Sequence, residues 1–172
     1  MIAFIFGETD FPKYIYKKLK GKKNYIIIDL TRKNIFRKDK NSFSVSIGQF
    51  GKIISILKKN NCSRVLFAGK VKKPNFAKLK LDVKGIFYIS RIIKKLKLGD
   101  AAIIKEIISI FKKEGIKTIR SNFFTPELTL TKGNYSNHRP DLEDKKDIFN
   151  ALKSLNKTNP YDHVQSAVSR KN

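Results

Sequence analysis

Apolar residues in this chain follow two rhythms. Residues 2–6 (I-A-F-I-F), 25–30 (Y-I-I-I-D-L) and 65–68 (V-L-F-A) are short, nearly unbroken hydrophobic runs, as expected of parallel strands buried on both faces. A weaker run at 116–119 (I-K-T-I) predicts a further strand, and residues 44–47 predict a short edge strand. Between these runs the apolar residues recur every three or four positions, the spacing of amphipathic helices. Tyr14, Ile15 and Leu19 mark one such helix, and Ile53, Ile54, Ile56 and Leu57 a second. Residues 86–98 predict a third, with a basic face. Ile103, Ile104, Ile107, Ile108 and Phe111 place the fourth over 101–114, and Ile148, Phe149, Leu152 and Leu155 the last over 142–155. Alternating strands and helices predict an α/β fold: a Rossmann-like, mostly parallel sheet flanked by helices, with a carboxy-terminal helix and a polar tail.

Turn formers punctuate these elements. Gly7 closes the first run, and E-T-D-F-P follows with Pro12 near the first helical position, where a missing N–H costs nothing. Gly48 and Gly51 bracket the start of the second helix, and Asn60-Asn61 ends it. G-K-V-K-K-P (69–74) leaves the third strand, and residues 76–85 read as irregular or a single helical turn. Gly99 breaks the next helix, Asp100 is placed to cap the following one, and Gly115 ends it. Residues 31–41 and 121–127 read as loops. Residues 129–141 (T-L-T-K-G-N-Y-S-N-H-R-P-D) lack periodicity and read as a loop or linker. The chain therefore divides into a domain at 1–128, a linker at 129–141, and a helix at 142–172 that starts a second domain.

Open α/β sheets bind ligands beyond the carboxyl ends of their strands. That edge supplies the candidate substrate-binding residues: Gly7, Phe11 and Pro12; Gly48, Gln49 and Gly51; Gly69, Lys70 and Lys73; and Gly99 with Asp100. Backbone N–H groups and lysines there are suited to a phosphate. The same glycines and prolines also serve simply to make turns.

Charge adds partners to weigh. Lysine and arginine number 38 against 14 acidic residues, a formal net charge of +24 with a pI near 10.2. Such a balance suits nucleic acid or an anionic membrane. Lysine far outnumbers arginine and occurs in nearly every segment, whereas base and phosphate recognition usually recruits the arginine fork. A general cationic background is favoured over a nucleic-acid partner. Cys62 alone gives no disulfide framework and agrees with a reducing compartment. No apolar run reaches the ~18 residues of a membrane span, and the first residues are too short for a signal sequence; the expectation is a cytoplasmic protein.

Other chemistry is thinly represented. His138 and His163 lack ligand spacing with Cys, Asp or Glu, and His163 beside Asp162 reads as a solvated pair. Asp141, Glu143, Asp144 and Asp147 open a helix, where the macrodipole accounts for them. Asp29 lies roughly twenty residues after Gly7, where a dinucleotide fold places its ribose-binding acid, but G-E-T-D-F-P carries one glycine of the three required. Neither G-x-S-x-G nor G-x-x-x-x-G-K-S/T is present.

In order and spacing, F-G-E-T-D-F-P, I-G-Q-F-G-K-I, F-A-G-K-V-K-K-P, G-D-A-A-I-I-K-E-I-I-S-I-F-K-K-E-G-I, T-P-E-L and D-H-V-Q-S-A-V resemble the amino-terminal half of the UDP-2,3-diacylglucosamine pyrophosphatases of the LpxI type. The likeness runs to about Val168. It implies a cytoplasmic step of lipid A biosynthesis, the hydrolysis of UDP-2,3-diacylglucosamine to 2,3-diacylglucosamine 1-phosphate and UMP. It also implies a divalent metal, usually magnesium, with the catalytic and metal-binding carboxylates in a second domain and the lipid product held between the two. Two departures stand out. Glu8 and Thr9 occupy positions where the family has glycines, and Val164 replaces another. The chain ends at Asn172, so the expectation is a truncated protein lacking the catalytic domain and supplying no catalytic residue of its own. The partners so implied are a lipid-nucleotide substrate, a separate chain carrying the catalytic domain, and the anionic inner face of the membrane. Two other classes stay open: a basic nucleic-acid-binding module built on residues 70–84 and 94–97, and a small nucleotide-binding α/β domain of unrelated function.

Overall fold

The computed structural model describes residues 1–72, 75, 79–158, 164 and 166–170, so Lys73, Asp162 and His163 lie outside the described residues. Three central strands, β1 (Ile2–Phe6), β2 (Tyr25–Asp29) and β4 (Arg64–Ala68), carry the apolar runs. They are flanked by two short edge strands, β3 (Ser42–Ser44) and β5 (Lys117–Thr118). All pair in parallel in the order β3-β2-β1-β4-β5. Among the described residues five α-helices accompany them: α1 (Asp10–Leu19), α2 (Phe50–Lys59), α3 (Val83–Leu96), α4 (Asp100–Lys113) and α5 (Leu142–Thr158). The expected Rossmann-like α/β sheet is thus observed.

The strand order explains where the helices lie. From β1 to β2 the chain steps one way across the sheet, and from β3 to β4 to β5 it steps the other way. Right-handed crossovers then require α1 on one face and α2, α3 and α4 on the opposite one. The period of two along each strand builds a core on each side. Ala3, Ile5, Ile26, Ile28 and Val65 face Phe50, Ile53, Ile54 and Leu57 of α2, Tyr88 and Ile92 of α3, and Ile110 and Phe111 of α4. Phe4, Phe6, Tyr25, Ile27 and Leu66 face Ile15 and Leu19 of α1, with Phe36 and Phe124 completing an aromatic layer.

Several boundaries differ from the expectations. The edge strand lies at Ser42–Ser44 rather than 44–47, because after Val45 N–H binds Asp29 O (3.1 Å) the chain turns away and Ser46 N–H binds the Gln49 side chain (3.2 Å). The last strand shrinks to Lys117–Thr118. Pro12, expected near the first helical position, is the third residue of α1 and lies within its first turn. α3 starts at Val83, three residues early, because Asp82 caps it by accepting the Gly85 N–H (2.7 Å). The cap of α4 is Gly99, and Asp100 is its first residue, so Asp100 does not cap that helix. The 121–127 loop holds two 3-10 turns, Ser121–Phe123 and Pro126–Leu128. Residues 129–141 have no regular structure. The carboxylates that open α5 do cap it: Asp144 N–H binds Asp141 Oδ1 (2.8 Å) and Asp141 N–H binds Asp144 Oδ2 (3.1 Å), the reciprocal pattern of a capping box.

A candidate apolar cleft at the carboxyl edge of the sheet

Gly7 ends β1 and Gly69 follows β4, so the two loops leave adjacent strands side by side at the point where the strand order reverses. They approach too closely for side chains. A Cβ on Gly7 would sit 2.6 Å from the Lys70 carbonyl oxygen, and one on Gly69 would sit 2.5 Å from the Pro12 ring. Gly69 also holds φ +85°, a conformation that L side chains rarely adopt. The backbones zip together: Gly7 N–H donates to Ala68 O (2.9 Å), Glu8 N–H to Lys70 O (2.7 Å) and Lys70 N–H to Glu8 O (2.8 Å). Those N–H groups are spent on the protein and cannot cradle a phosphate. The Glu8 carboxylate turns to the Arg32 N–H (3.1 Å).

The same accounting applies to the start of α2, a predicted phosphate cradle. Its Gly51 and Lys52 N–H groups already donate to the Asp82 carboxylate, at 3.1 and 2.8 Å. Asp82 therefore caps two helices at once, its own α3 and, from thirty residues away, α2. Burial pushes its pKa up, but the Lys52, Gly85 and Gly51 N–H groups outweigh that and hold it below the ordinary 3.8. The glycines there allow the helix starts to meet: a Cβ on Gly85 would lie 2.0 Å from the Gly48 carbonyl oxygen, and one on Gly48 2.6 Å from that of Lys80. Gln49 spends its side chain on the Ser46 N–H. Asp29, fully buried, likewise accepts from Thr31 N–H (2.8 Å), Thr31 Oγ1 (2.6 Å) and Phe36 N–H (2.9 Å), so it organises a loop and faces no ribose.

What the carboxyl edge does offer is a cleft of about 700 Å³ between the sheet and α2, α3 and α4. Its size is that of a small-molecule site. Its walls are overwhelmingly aliphatic and aromatic: Ile47, Phe50 and Ile53 from the α2 region, Phe67 from β4, Ile89, Ile92 and Leu96 from α3, and Ile103, Ile104, Ile107 and Phe111 from α4. Among the described residues, polar character is confined to Gly7, Gly69, Lys70 and Lys72 at the strand ends and Asp100 at the opening of α4. That opening turn has no side-chain cap.

Of the sequence-predicted positions, then, Gly7, Gly69, Lys70 and Asp100 come together on the cleft, and Gly99 adjoins it. Gly48, Gln49 and Gly51 shape the turn that carries Ile47 and Phe50 into it. Phe11 packs on the aromatic core of the opposite face, and Pro12 is buried against Gly69. Sequence reasoning missed the apolar lining and Asp82. A signal for the lining existed in α4, whose apolar positions at 102, 103, 104, 107, 108, 110 and 111 cover more of the helix than one packed stripe needs.

Titratable clusters elsewhere are structural. Glu114, at the end of α4, accepts from Lys58 of α2 (2.8 Å), from Lys84 of α3 and from Tyr88 (3.1 Å), and the two lysine bonds carry its pKa down to about 2. Glu127, in T-P-E-L, binds Lys18 and Tyr14 and so fixes a 3-10 turn to α1. Cys62 is buried, and burial pushes its thiol up, as for an inert packed cysteine. Among the described residues no group of three or more His, Cys, Asp or Glu is placed to hold a metal ion. No helix among them is long and apolar enough to cross a membrane.

The family model described as the LpxI N-terminal domain matches residues 1–128. The chain is 33% identical over 124 residues to the UDP-2,3-diacylglucosamine pyrophosphatase LpxI of Caulobacter vibrioides, an alignment that covers 72% of this chain and 44% of that protein. This chain thus matches less than half the length of that relative. With a family match across its whole sheet domain and a relative one-third identical over the same region, the chain belongs to the LpxI family, of which it carries the N-terminal domain.

Proposed function

We propose that this domain holds UDP-2,3-diacylglucosamine, or the 2,3-diacylglucosamine 1-phosphate formed from it, for pyrophosphate hydrolysis completed by groups outside the described residues. The observation that carries the reading is the apolar cleft at the carboxyl edge of the sheet. A bare nucleotide would gain little from walls of isoleucine and phenylalanine, whereas each acyl methylene moved from water onto them contributes roughly 0.8 kcal/mol. Acyl chains would run along Ile53, Ile92, Ile103 and Ile107, with the sugar phosphate at the strand ends near Lys70 and Lys72. Those lysines act as point charges that neutralise the anion, while the uncapped first turn of α4 adds a favourable dipole.

The described residues do not fit a magnesium site: of carboxylates, only Asp100 lines the cleft. No bond-breaking step is therefore assigned to them, and their work is to bind, orient and exclude water. The test is thermal denaturation with UDP-2,3-diacylglucosamine, alongside an assay of UMP release in the presence and absence of a chain carrying the remainder of the family's enzyme. The expected result is a raised Tm with the lipid nucleotide and UMP release on mixing. An unchanged Tm and no release in either assay would contradict the reading.

A further inference from the structure

Helix α3 has two apolar faces where one would suffice to pack it. Ile89, Ile92 and Leu96 point into the cleft. Val83, Ile86, Phe87 and Ile93, which fall within roughly 120° of one another around the helix, form an adjoining stripe and are 84, 62, 66 and 43% exposed. At ~100° per residue, Ile86 and Ile93 lie next to Ile89, so the outer stripe is continuous with the cleft wall. Ile104 of α4, half exposed and itself lining the cleft, extends the lip.

The charges around this stripe are predominantly positive. Lys94 and Lys97 share its carboxy-terminal half, and Lys70 and Lys72 stand at the cleft rim. The nearby carboxylates are engaged: Asp82 by three backbone N–H groups, Glu106 by Arg91, and Glu114 by Lys58 and Lys84. Asp100 is the exception on these two helices. Exposed phenylalanine and isoleucine flanked by exposed lysines match the interfacial helices that lie in the plane of an anionic bilayer.

We propose that the outer stripe of α3 and the adjoining lip form a docking surface for an anionic lipid bilayer. Val83, Ile86 and Phe87 enter the acyl boundary, Lys94 and Lys97 rest on headgroup phosphates, and the cleft opens toward the membrane. What the surface is for rests on the lipid-holding reading of the cleft. The surface itself is tested apart from that reading, since vesicle binding needs no lipid nucleotide.

The experiment is co-sedimentation of the full chain with phosphatidylcholine vesicles, with and without phosphatidylglycerol, at low and high salt. Binding is expected only to the anionic vesicles and is expected to weaken with salt. The double variant Ile86→Ser, Phe87→Ser should reduce partitioning by about tenfold or more. Lys94→Glu with Lys97→Glu should abolish the preference for anionic lipid. Neither variant touches a buried position, so Tm should be unchanged in the serine variant and slightly lower in the glutamate one, whose new carboxylates stand at the carboxyl end of α3. Three outcomes would overturn the proposal: no sedimentation of the parent chain, undiminished binding by the serine variant, or a solution dimer that the serine variant dissociates, which would make the stripe a protein interface.

Discussion

Thr9 carries the clearest local strain in the described backbone. It precedes α1 at φ 140°, ψ 176°, a region that is essentially the preserve of glycine, and it occupies a position where the family resemblance leads one to expect glycine. Thr9→Gly should relieve that strain and stabilise the domain by about 1 kcal/mol, the relief exceeding the added chain entropy of the unfolded state. A urea titration showing equal or lower stability would contradict this. Gly85 makes the opposite case. Its missing Cβ would fall 2.0 Å from a backbone oxygen of Gly48, which cannot move as a side chain end could. Gly85→Ala should therefore cost about 3 kcal/mol or more, despite the better helix propensity of alanine. Thermal melts would register this as a large fall in Tm, and a neutral result would show that the two helix starts are not in contact.

At the level of elements, two carboxylates tie together the helices that wall the cleft. Asp82 joins the starts of α2 and α3, and Glu114 joins the end of α4 to Lys58 of α2 and Lys84 of α3. Both are held below their ordinary pKa, Asp82 below 3.8 and Glu114 from 4.5 to about 2. A carboxylate whose folded pKa is depressed binds its proton more readily in the unfolded chain. Its contribution is present above the unfolded value and is lost as pH falls through the folded one. Stability should accordingly decline as pH drops from about 4.5 toward 2. Glu114→Gln should flatten that decline and cost roughly 1–2 kcal/mol at neutral pH, a figure discounted because both lysines are about half exposed. Melting curves against pH check both parts, and an unaltered slope in the variant would remove Glu114 from the account. These ties were not visible in the sequence. The Asp82 carboxylate meets Gly51 across 31 positions, and Glu114 meets Lys58 across 56, separations at which neither periodicity nor capping patterns carry information.

For the molecule as a whole, the sheet was legible and the cleft was not. Central strands announce themselves because burial on both faces demands unbroken apolar runs such as Ile2–Phe6. Edge strands were found with the wrong bounds because Ser42-Phe43-Ser44 and Lys117-Thr118 are defined by the hydrogen bonds of a neighbour and not by their own side chains. The glycines at the strand ends drew attention to the carboxyl edge of the sheet as makers of a phosphate cradle. Gly7 and Gly69 sit there so that two loops can bond to each other, which uses up the N–H groups first assigned to a phosphate. The ligand-sized space is instead apolar, and Ile103 and Ile107 look the same in sequence whether they fill a core or line a cavity. On the proposed function, acyl chains, more than the nucleotide, are what this domain grips. Calorimetric titration of the chain with UDP-2,3-diacylglucosamine and with its deacylated counterpart tests it most directly, repeated on Ile107→Asp, which puts a charge in the cleft. The diacylated ligand is predicted to bind on the order of 100-fold tighter or more than the deacylated one, with the difference lost in the variant. Equal affinities for the two ligands, or an Ile107→Asp chain that still distinguishes them, would contradict it.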